Sequence, residues 1–263
     1  MISQSIIVLG AMALVLASGL AYFAKKFAVE KDERVSKVLA VLPGSNCGAC
    51  GLAGCEAAAE AIVKGDVGIN ICKAGGGDVA DKVAAIMGKD KCEMKKEVVH
   101  LFCDGNRDNC QDKFDYDGPK KCSAANLVNK GPKNCEYGCI GFGDCAEACP
   151  FSAIKMINGL PVVDKNKCTG CGVCVTTCPK SILHLVPNEK KIHVLCSSKD
   201  LGKDVIKKCR VGCIACRQCE KACPVDAIHV IDNNAVIDYG RCIMCAKCVQ
   251  ACPRKIIVDD RAK

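Results

Sequence analysis

Nineteen consecutive residues near the start, Ile6 to Ala24, carry no charge. They predict a helix that is apolar on every side, and their number fits the ~17–25 residues a bilayer-spanning helix needs. Lys25, Lys26, Lys31, Arg34 and Lys37 follow, and nothing before Ile6 is charged. By the positive-inside rule this places the bulk of the chain on the cytoplasmic side of a cell (inner) membrane. A cleaved signal peptide fits poorly, because the basic flank lies on the wrong side. A buried soluble helix is the remaining alternative and ranks below the anchor, since nineteen residues show no polar face. Further on, the Ala-rich stretch Glu56 to Val63 predicts a helix. Gly75-Gly76-Gly77 then breaks the chain before a second helix over Asp78 to Met87. Beyond residue 130 the apolar runs become short. Asn158-Gly159 and Asp232-Asn233 stand between such runs and predict tight hairpin turns.

The C-terminal half repeats itself without a gap. Cys139, Cys145, Cys149, Cys168, Cys171, Cys174 and Cys178 recur 74 residues later as Cys213, Cys219, Cys223, Cys242, Cys245, Cys248 and Cys252. Cys135 recurs as Cys209, and Cys122 as Cys196. The spacing Cys139 to Cys168 is 29 residues, as is Cys213 to Cys242, so each unit is itself two similar halves. Each half reads as a Cys-rich loop, a short helix after Cys-Pro and a small hairpin.

Composition explains how such small modules hold together. Of 263 residues 26 are Cys and 4% are aromatic, with no Trp. Units this small need metals or disulfides as staples. Secreted disulfide scaffolds are usually under ~100 residues, and cysteines three and four residues apart suit clusters better than crosslinks. A reducing compartment follows. The 50% apolar content excludes a disordered chain. The formal charge of +8 would suit a nucleic-acid binder. Ligating cysteines are thiolates, however, and a cubane with four of them carries roughly −2. Five cubanes would bring the loaded chain near about −2 and remove that signal.

Three segments have the form C-x2-C-x2-C-x3-C-P, the bacterial ferredoxin run. They begin at Cys168, Cys213 and Cys242. Three thiolates on a tight loop cap three corners of one cubane, while the fourth Cys starts a helix leading away and ligates the other cluster. The expected quartets are Cys213/Cys216/Cys219/Cys252, Cys242/Cys245/Cys248/Cys223 and Cys168/Cys171/Cys174/Cys149. The remaining site is irregular, since Phe142 stands where the second unit has Cys216. Cys135 is the nearest substitute, giving Cys135/Cys139/Cys145/Cys178, with a three-ligand three-iron cluster as the alternative. Near the N-terminus, Cys47-x2-Cys50-x4-Cys55-x16-Cys72 reads as a further [4Fe-4S] site. Gly44, Gly48, Gly51 and Gly54 around it permit the turns that wrapping a cluster requires. Zinc is the structural rival for any CxxC array, chiefly at this last site.

These assignments use 20 cysteines and predict five [4Fe-4S] clusters. Cys92, Cys103, Cys110 and Cys122 could hold a sixth, but we favour buried small hydrophobes for them and for Cys196 and Cys209. His100-Leu101-Phe102-Cys103 resembles His193-Val194-Leu195-Cys196, which makes Cys103 and Cys196 structural counterparts. The four histidines read as satisfied core or edge residues. No phosphate loop or dinucleotide fingerprint is present. The basic stretch Lys190 to Arg210 reads as a solvated surface or as a docking face for an acidic electron carrier.

The anchor, the Cys47–Cys72 spacing and the duplicated ferredoxin runs together resemble the B subunits of Rnf complexes, called Rsx in enteric bacteria. The resemblance covers nearly the whole chain and is weakest over Cys92 to Lys133. It implies a membrane-bound, ion-translocating ferredoxin:NAD+ oxidoreductase. Its B subunit takes electrons from soluble reduced ferredoxin and passes them through clusters to the membrane subunits. Flavin and NAD sites lie in other subunits, so this chain has no complete active site of its own. Electrons would enter through the ferredoxin units and leave through the Cys47–Cys72 cluster. The expected fold is α+β: an anchor (1–26), a helical four-Cys module (27–90), a Cys-containing linker module (91–133), a ferredoxin-like module (134–187), a linker (188–208) and a second ferredoxin-like module (209–263). Expected partners are the other complex subunits, soluble ferredoxin and the bilayer, with no nucleic acid. The alternatives are a tethered polyferredoxin serving another reductase, a hydrogenase or a redox-sensing regulator, and a zinc-stapled interaction protein.

Overall fold

Residues 2–26, 32–91 and 93–262 are described in this computed structural model, the side chains of 2–9 and 262 excepted. The uncharged stretch forms helix α1 (Ile2–Lys26), with Lys25 and Lys26 in its last turn. Among the described residues, no helix is long and apolar enough to cross a membrane. The expected span over 6–24 begins with Ile6, Ile7, Val8 and Leu9, whose side chains lie outside the described residues. The part from Gly10 to Lys26 falls short of the ~20 apolar residues a bilayer requires. The spanning helix is therefore not a feature of the described fold, although Leu14, Val15 and Leu20 are more than 70% exposed.

The next module is three helices, α2 (Glu33–Val41), α3 (Cys55–Lys64) and α4 (Gly76–Met87). The sequence predicts the last two to within a residue or two and misses the first. Asp32 caps α2 by accepting the Arg34 N–H. Gly65 and Gly88 end α3 and α4 in the left-handed region, where each donates its N–H back to the last turn. Val38, Ala59, Ile62 and Val83 meet between the helices at 0% exposure. These positions fall on one face of each helix, and the small alanines of α3 and α4 let the axes approach.

The rest of the chain is two ferredoxin-like units. The first contains β1 (Glu97–Leu101), α5 (Cys122–Leu127), α6 (Asp144–Glu147), β2 (Ile154–Ile157), β3 (Leu160–Val163), α7 (Val173–Thr177) and β4 (Leu183–Pro187). The second contains β5 (Ile192–Val194), α8 (Gly202–Lys208), α9 (Gln218–Lys221), β6 (Ile228–Ile231), β7 (Asn234–Ile237), α10 (Lys247–Ala251) and β8 (Ile257–Asp259). All four sheets are antiparallel pairs: β1–β4, β2–β3, β5–β8 and β6–β7. The hairpins turn at Asn158-Gly159 and Asp232-Asn233, where both central residues have positive φ. In each unit a strand upstream of the first cysteine loop pairs with a strand downstream of the last. Those upstream strands, β1 and β5, come from the intervals 91–133 and 188–208 that the spacing reads as linkers.

Buried groups join the two units. The Asp104 N–H donates to the Leu195 carbonyl (3.0 Å), and Ser197 Oγ donates to the Phe102 carbonyl (2.8 Å). His100 of β1 and His193 of β5 stack with ring centroids 3.7 Å apart. Asp260 lies beside both imidazoles and pairs with Lys165, while His193 Nδ1 meets Tyr239 Oη at 2.8 Å. Burial and the neighbouring His100 hold the His193 imidazole neutral, its pKa pushed down to about 3.

Candidate cluster-binding sites

The four cysteine loops of the ferredoxin units share one backbone design. Two and four residues after the first Cys, φ is positive: Gly141 and Gly143, Gly170 and Gly172, Ala215 and Arg217, Met244 and Ala246. Alternating left- and right-handed residues turn successive N–H groups into the loop, a concavity that suits an anion. The third Cys of each loop is then the second residue of a short helix: Cys145 in α6, Cys174 in α7, Cys219 in α9 and Cys248 in α10. Three residues after the last Cys, Ser152, Ser181, Asp226 and Lys255 again have positive φ and turn the chain toward the next strand.

The side chains gather in the crossed pattern the spacing predicts. Cys213, Cys216, Cys219 and Cys252 line one cavity. Cys223, Cys242, Cys245 and Cys248 line a second. Cys149, Cys168, Cys171 and Cys174 are mutual neighbours in the first unit. The Cys149 and Cys223 thiols, each the crossing member, accept the Ala153 and Ala227 N–H at 3.4 and 3.2 Å. In the N-terminal module Cys72 neighbours Cys47, Cys50 and Cys55. There Asn46 Oδ1 accepts the Cys55 N–H at 2.8 Å and pins the loop to the start of α3.

The irregular site differs from expectation. Cys139, Cys145 and Cys178 share a cavity with Cys122, not with Cys135. Cys122 opens α5, and the Asp144 carboxylate accepts the N–H groups of Cys122 (2.8 Å) and Ser123 (3.1 Å). That cap holds the start of α5 against the loop where Phe142 replaces a cysteine. Phe142 packs on Tyr116 with ring centroids 5.7 Å apart. Cys135 instead faces the second unit, in a cavity it shares with Cys103, Cys110, Cys196 and Cys209. Spacing gives no hint of Cys122. The one sequence signal is Asp144, an acid where the other three loops have Val173, Gln218 and Lys247. Cys92 lies outside the described residues.

Burial pushes the Cys145, Cys219 and Cys248 thiols up to about 11 and Cys174 to about 12. These sulfurs keep their protons at neutral pH until iron displaces them. A tetrahedral zinc site with Zn–S of ~2.3 Å needs its sulfurs about 3.8 Å apart. Among the described residues, the only three ligand atoms mutually within 4.8 Å belong to His100, His193 and Asp260. Of these, Asp260 pairs with Lys165, His193 Nδ1 meets Tyr239 Oη, and His100 Nδ1 meets the Leu101 carbonyl at 3.1 Å. Quartets that interlock between two loops suit cubanes more than closed zinc sites.

Comparison with known proteins agrees. Residues 42–74 match a family of Fe-S cluster domains, residues 139–153 and 160–183 match 4Fe-4S binding domains, and residues 212–257 match a 4Fe-4S dicluster domain. The chain is 46% identical over 235 residues to the B subunit of the proton-translocating ferredoxin:NAD(+) oxidoreductase complex of Clostridium ljungdahlii, covering 89% of this chain and 83% of that one. It is 45% identical to the Na(+)-translocating counterpart of Acetobacterium woodii, covering 89% and 71%. It is 41% identical to the B subunit of the ion-translocating oxidoreductase complex of Methanosarcina acetivorans, covering 80% of each. The chain belongs to the family of B subunits of ion-translocating oxidoreductase complexes. Like the family's matched domains, it carries several [4Fe-4S] clusters. The matched ranges hold every assigned cysteine except Cys135. Cys103, Cys110, Cys122, Cys196 and Cys209 also fall outside them.

Proposed function

We propose that this chain is the electron-carrying B subunit of an Rnf-type ferredoxin:NAD+ oxidoreductase, accepting electrons from soluble reduced ferredoxin and relaying them to the membrane subunits. The observation that carries the reading is the pairing of cysteine quartets within single apolar cores. Cys145 and Cys178 of one quartet share a core with Cys149, Cys168 and Cys174 of the next. Cys213, Cys219 and Cys252 share another with Cys223 and Cys248. Bound [4Fe-4S] clusters supply one-electron chemistry at each quartet. The chain's own part is to hold the thiolates, shield them from water and donate N–H groups to them.

The ligand sets we assign are Cys47/Cys50/Cys55/Cys72, Cys122/Cys139/Cys145/Cys178, Cys149/Cys168/Cys171/Cys174, Cys213/Cys216/Cys219/Cys252 and Cys223/Cys242/Cys245/Cys248. A cleft lined by Lys73 to Asp78 and by Asn166 and Cys168 to Gly170 lies between the segment after Cys72 and the Cys168 loop. This supports an exit through the N-terminal module. We assign residues 6–24 as a membrane anchor with the bulk of the chain cytoplasmic, on the strength of their uncharged run and the five basic residues that follow. When the full-length protein is mixed anaerobically with reduced ferredoxin and NAD+, its visible absorption should bleach while no NADH forms. Robust NADH production by this chain alone would overturn the proposal.

A further inference from the structure

Five cysteines converge where the two ferredoxin units meet. Cys103, Cys110 and Cys135 come from the first, and Cys196 and Cys209 from the second. Their cavity is narrow and mostly apolar-walled, like the three lined by quartets. Four of its cysteines hold matching places in the two units. Cys103 and Cys196 sit just past β1 and β5, and Cys135 and Cys209 sit four residues ahead of each unit's first loop cysteine. The Cys103 thiol accepts the Gly105 and Cys139 N–H groups at 3.3 and 3.5 Å. The Cys196 thiol accepts the Ser198 and Cys213 N–H groups at 3.5 and 3.4 Å. This is the amide-to-sulfur arrangement seen at the crossing ligands Cys149 and Cys223.

Charge points the same way. Lys133 is 4% exposed and its ammonium donates to the Gly105 carbonyl, which lies in the cavity wall. Arg254 donates to the Cys209 carbonyl at 2.9 Å, and half-buried Lys180 faces Cys135. Asp104 and Asp200 also line the cavity, and Asp200 pairs with Lys208 at 2.8 Å. A cubane held by four thiolates carries about −2, and these cations offset its charge together with that of the carboxylates.

Resting on the electron-relay reading above, we propose that this cavity holds a sixth [4Fe-4S] cluster, ligated by Cys103, Cys135, Cys196 and Cys209. Cys110 is the fifth thiol, and it is hydrogen-bonded to Cys209. Two sulfurs close enough to share a proton do not occupy two corners of one cubane. Cys110 also has no counterpart in the second unit, where Lys203 stands at the offset that aligns Cys103 with Cys196. It therefore serves as a hydrogen-bond donor to a ligand sulfur and tunes that cluster. The site lies between the Cys139 and Cys213 quartets, bound to each by an amide donor, and so bridges the two units.

The test is iron and acid-labile sulfide per full-length chain with Mössbauer spectra, prepared anaerobically. Wild-type protein should hold about 24 irons with matching sulfide. The Cys135→Ser/Cys209→Ser variant should hold about twenty, those retained irons reporting an intact fold. Cys110→Ser should keep the wild-type count and shift the midpoint potential of one cluster. A wild-type count of about twenty with matching sulfide overturns this proposal but leaves the five-cluster relay standing. Finding Cys110 and Cys209 as a disulfide, or loss of about four irons in Cys110→Ser, overturns it as well. Loss of iron altogether, with zinc in its place, would instead sink the relay.

Discussion

A single carboxylate decides the least regular site. Asp144 caps α5 and thereby delivers Cys122 to a loop that lacks its own second cysteine. Cys122→Ser should leave that quartet one thiolate short and lower the iron content by one to four atoms, about one cluster's worth at most. Unchanged iron and sulfide would show that Cys122 is not a ligand. Asp144→Ala should have a milder form of the same defect, because a lost helix cap costs about 1 kcal/mol. Conformation at single residues also carries cost. Ala215 occupies a left-handed position that Gly141 and Gly170 fill in the first unit. A non-glycine there costs roughly 1–2 kcal/mol. Ala215→Gly should therefore raise stability by up to about 1 kcal/mol, read as a higher thermal midpoint. A lower midpoint would contradict this.

At the scale of elements, the crossed quartets were legible in the sequence because loop spacing fixes them. Three cysteines within seven residues cannot avoid one another. The helix expected after each Cys-Pro instead lies before it, from the third cysteine to the fourth, because proline ends the turn that carries the fourth cysteine out of the loop. The hairpins were legible from Asn158-Gly159 and Asp232-Asn233 for the same local reason. What the sequence hid was non-local. β1 lies 82 residues ahead of its partner, Leu101 pairing with Leu183, and nothing short-range links them. Cys122 likewise reaches its site through a helix cap, not through spacing. Gly170 shows how tightly these distant pieces fit, since a Cβ there would stand 2.5 Å from the Glu97 carbonyl oxygen of β1. Gly170→Ala should destabilise the first unit by about 2–3 kcal/mol, from overpacking and the strained φ together. Unchanged stability in chemical denaturation would contradict this packing of the Cys168 loop on β1.

Across the whole molecule, the His100–His193 stack and the Asp260 carboxylate tie the units that the relay must keep aligned. His193 is 1% exposed and neutral in the fold, with its pKa well below that of an unfolded histidine. The unfolded chain takes up a proton below pH ~6.5 that the folded chain refuses until about pH 3. Stability should therefore fall as pH drops from 6.5 toward 5, by at most about 1.4 kcal/mol per pH unit from this group. His193→Gln should flatten that slope, and equal slopes for variant and wild type would contradict the buried neutral imidazole. The relay itself requires that the cysteines hold clusters. The most direct test measures iron, acid-labile sulfide and zinc in one anaerobically purified sample of the full chain. At least about twenty irons with equal sulfide and negligible zinc is the predicted result. Stoichiometric zinc with little sulfide would contradict the electron-relay account at its root.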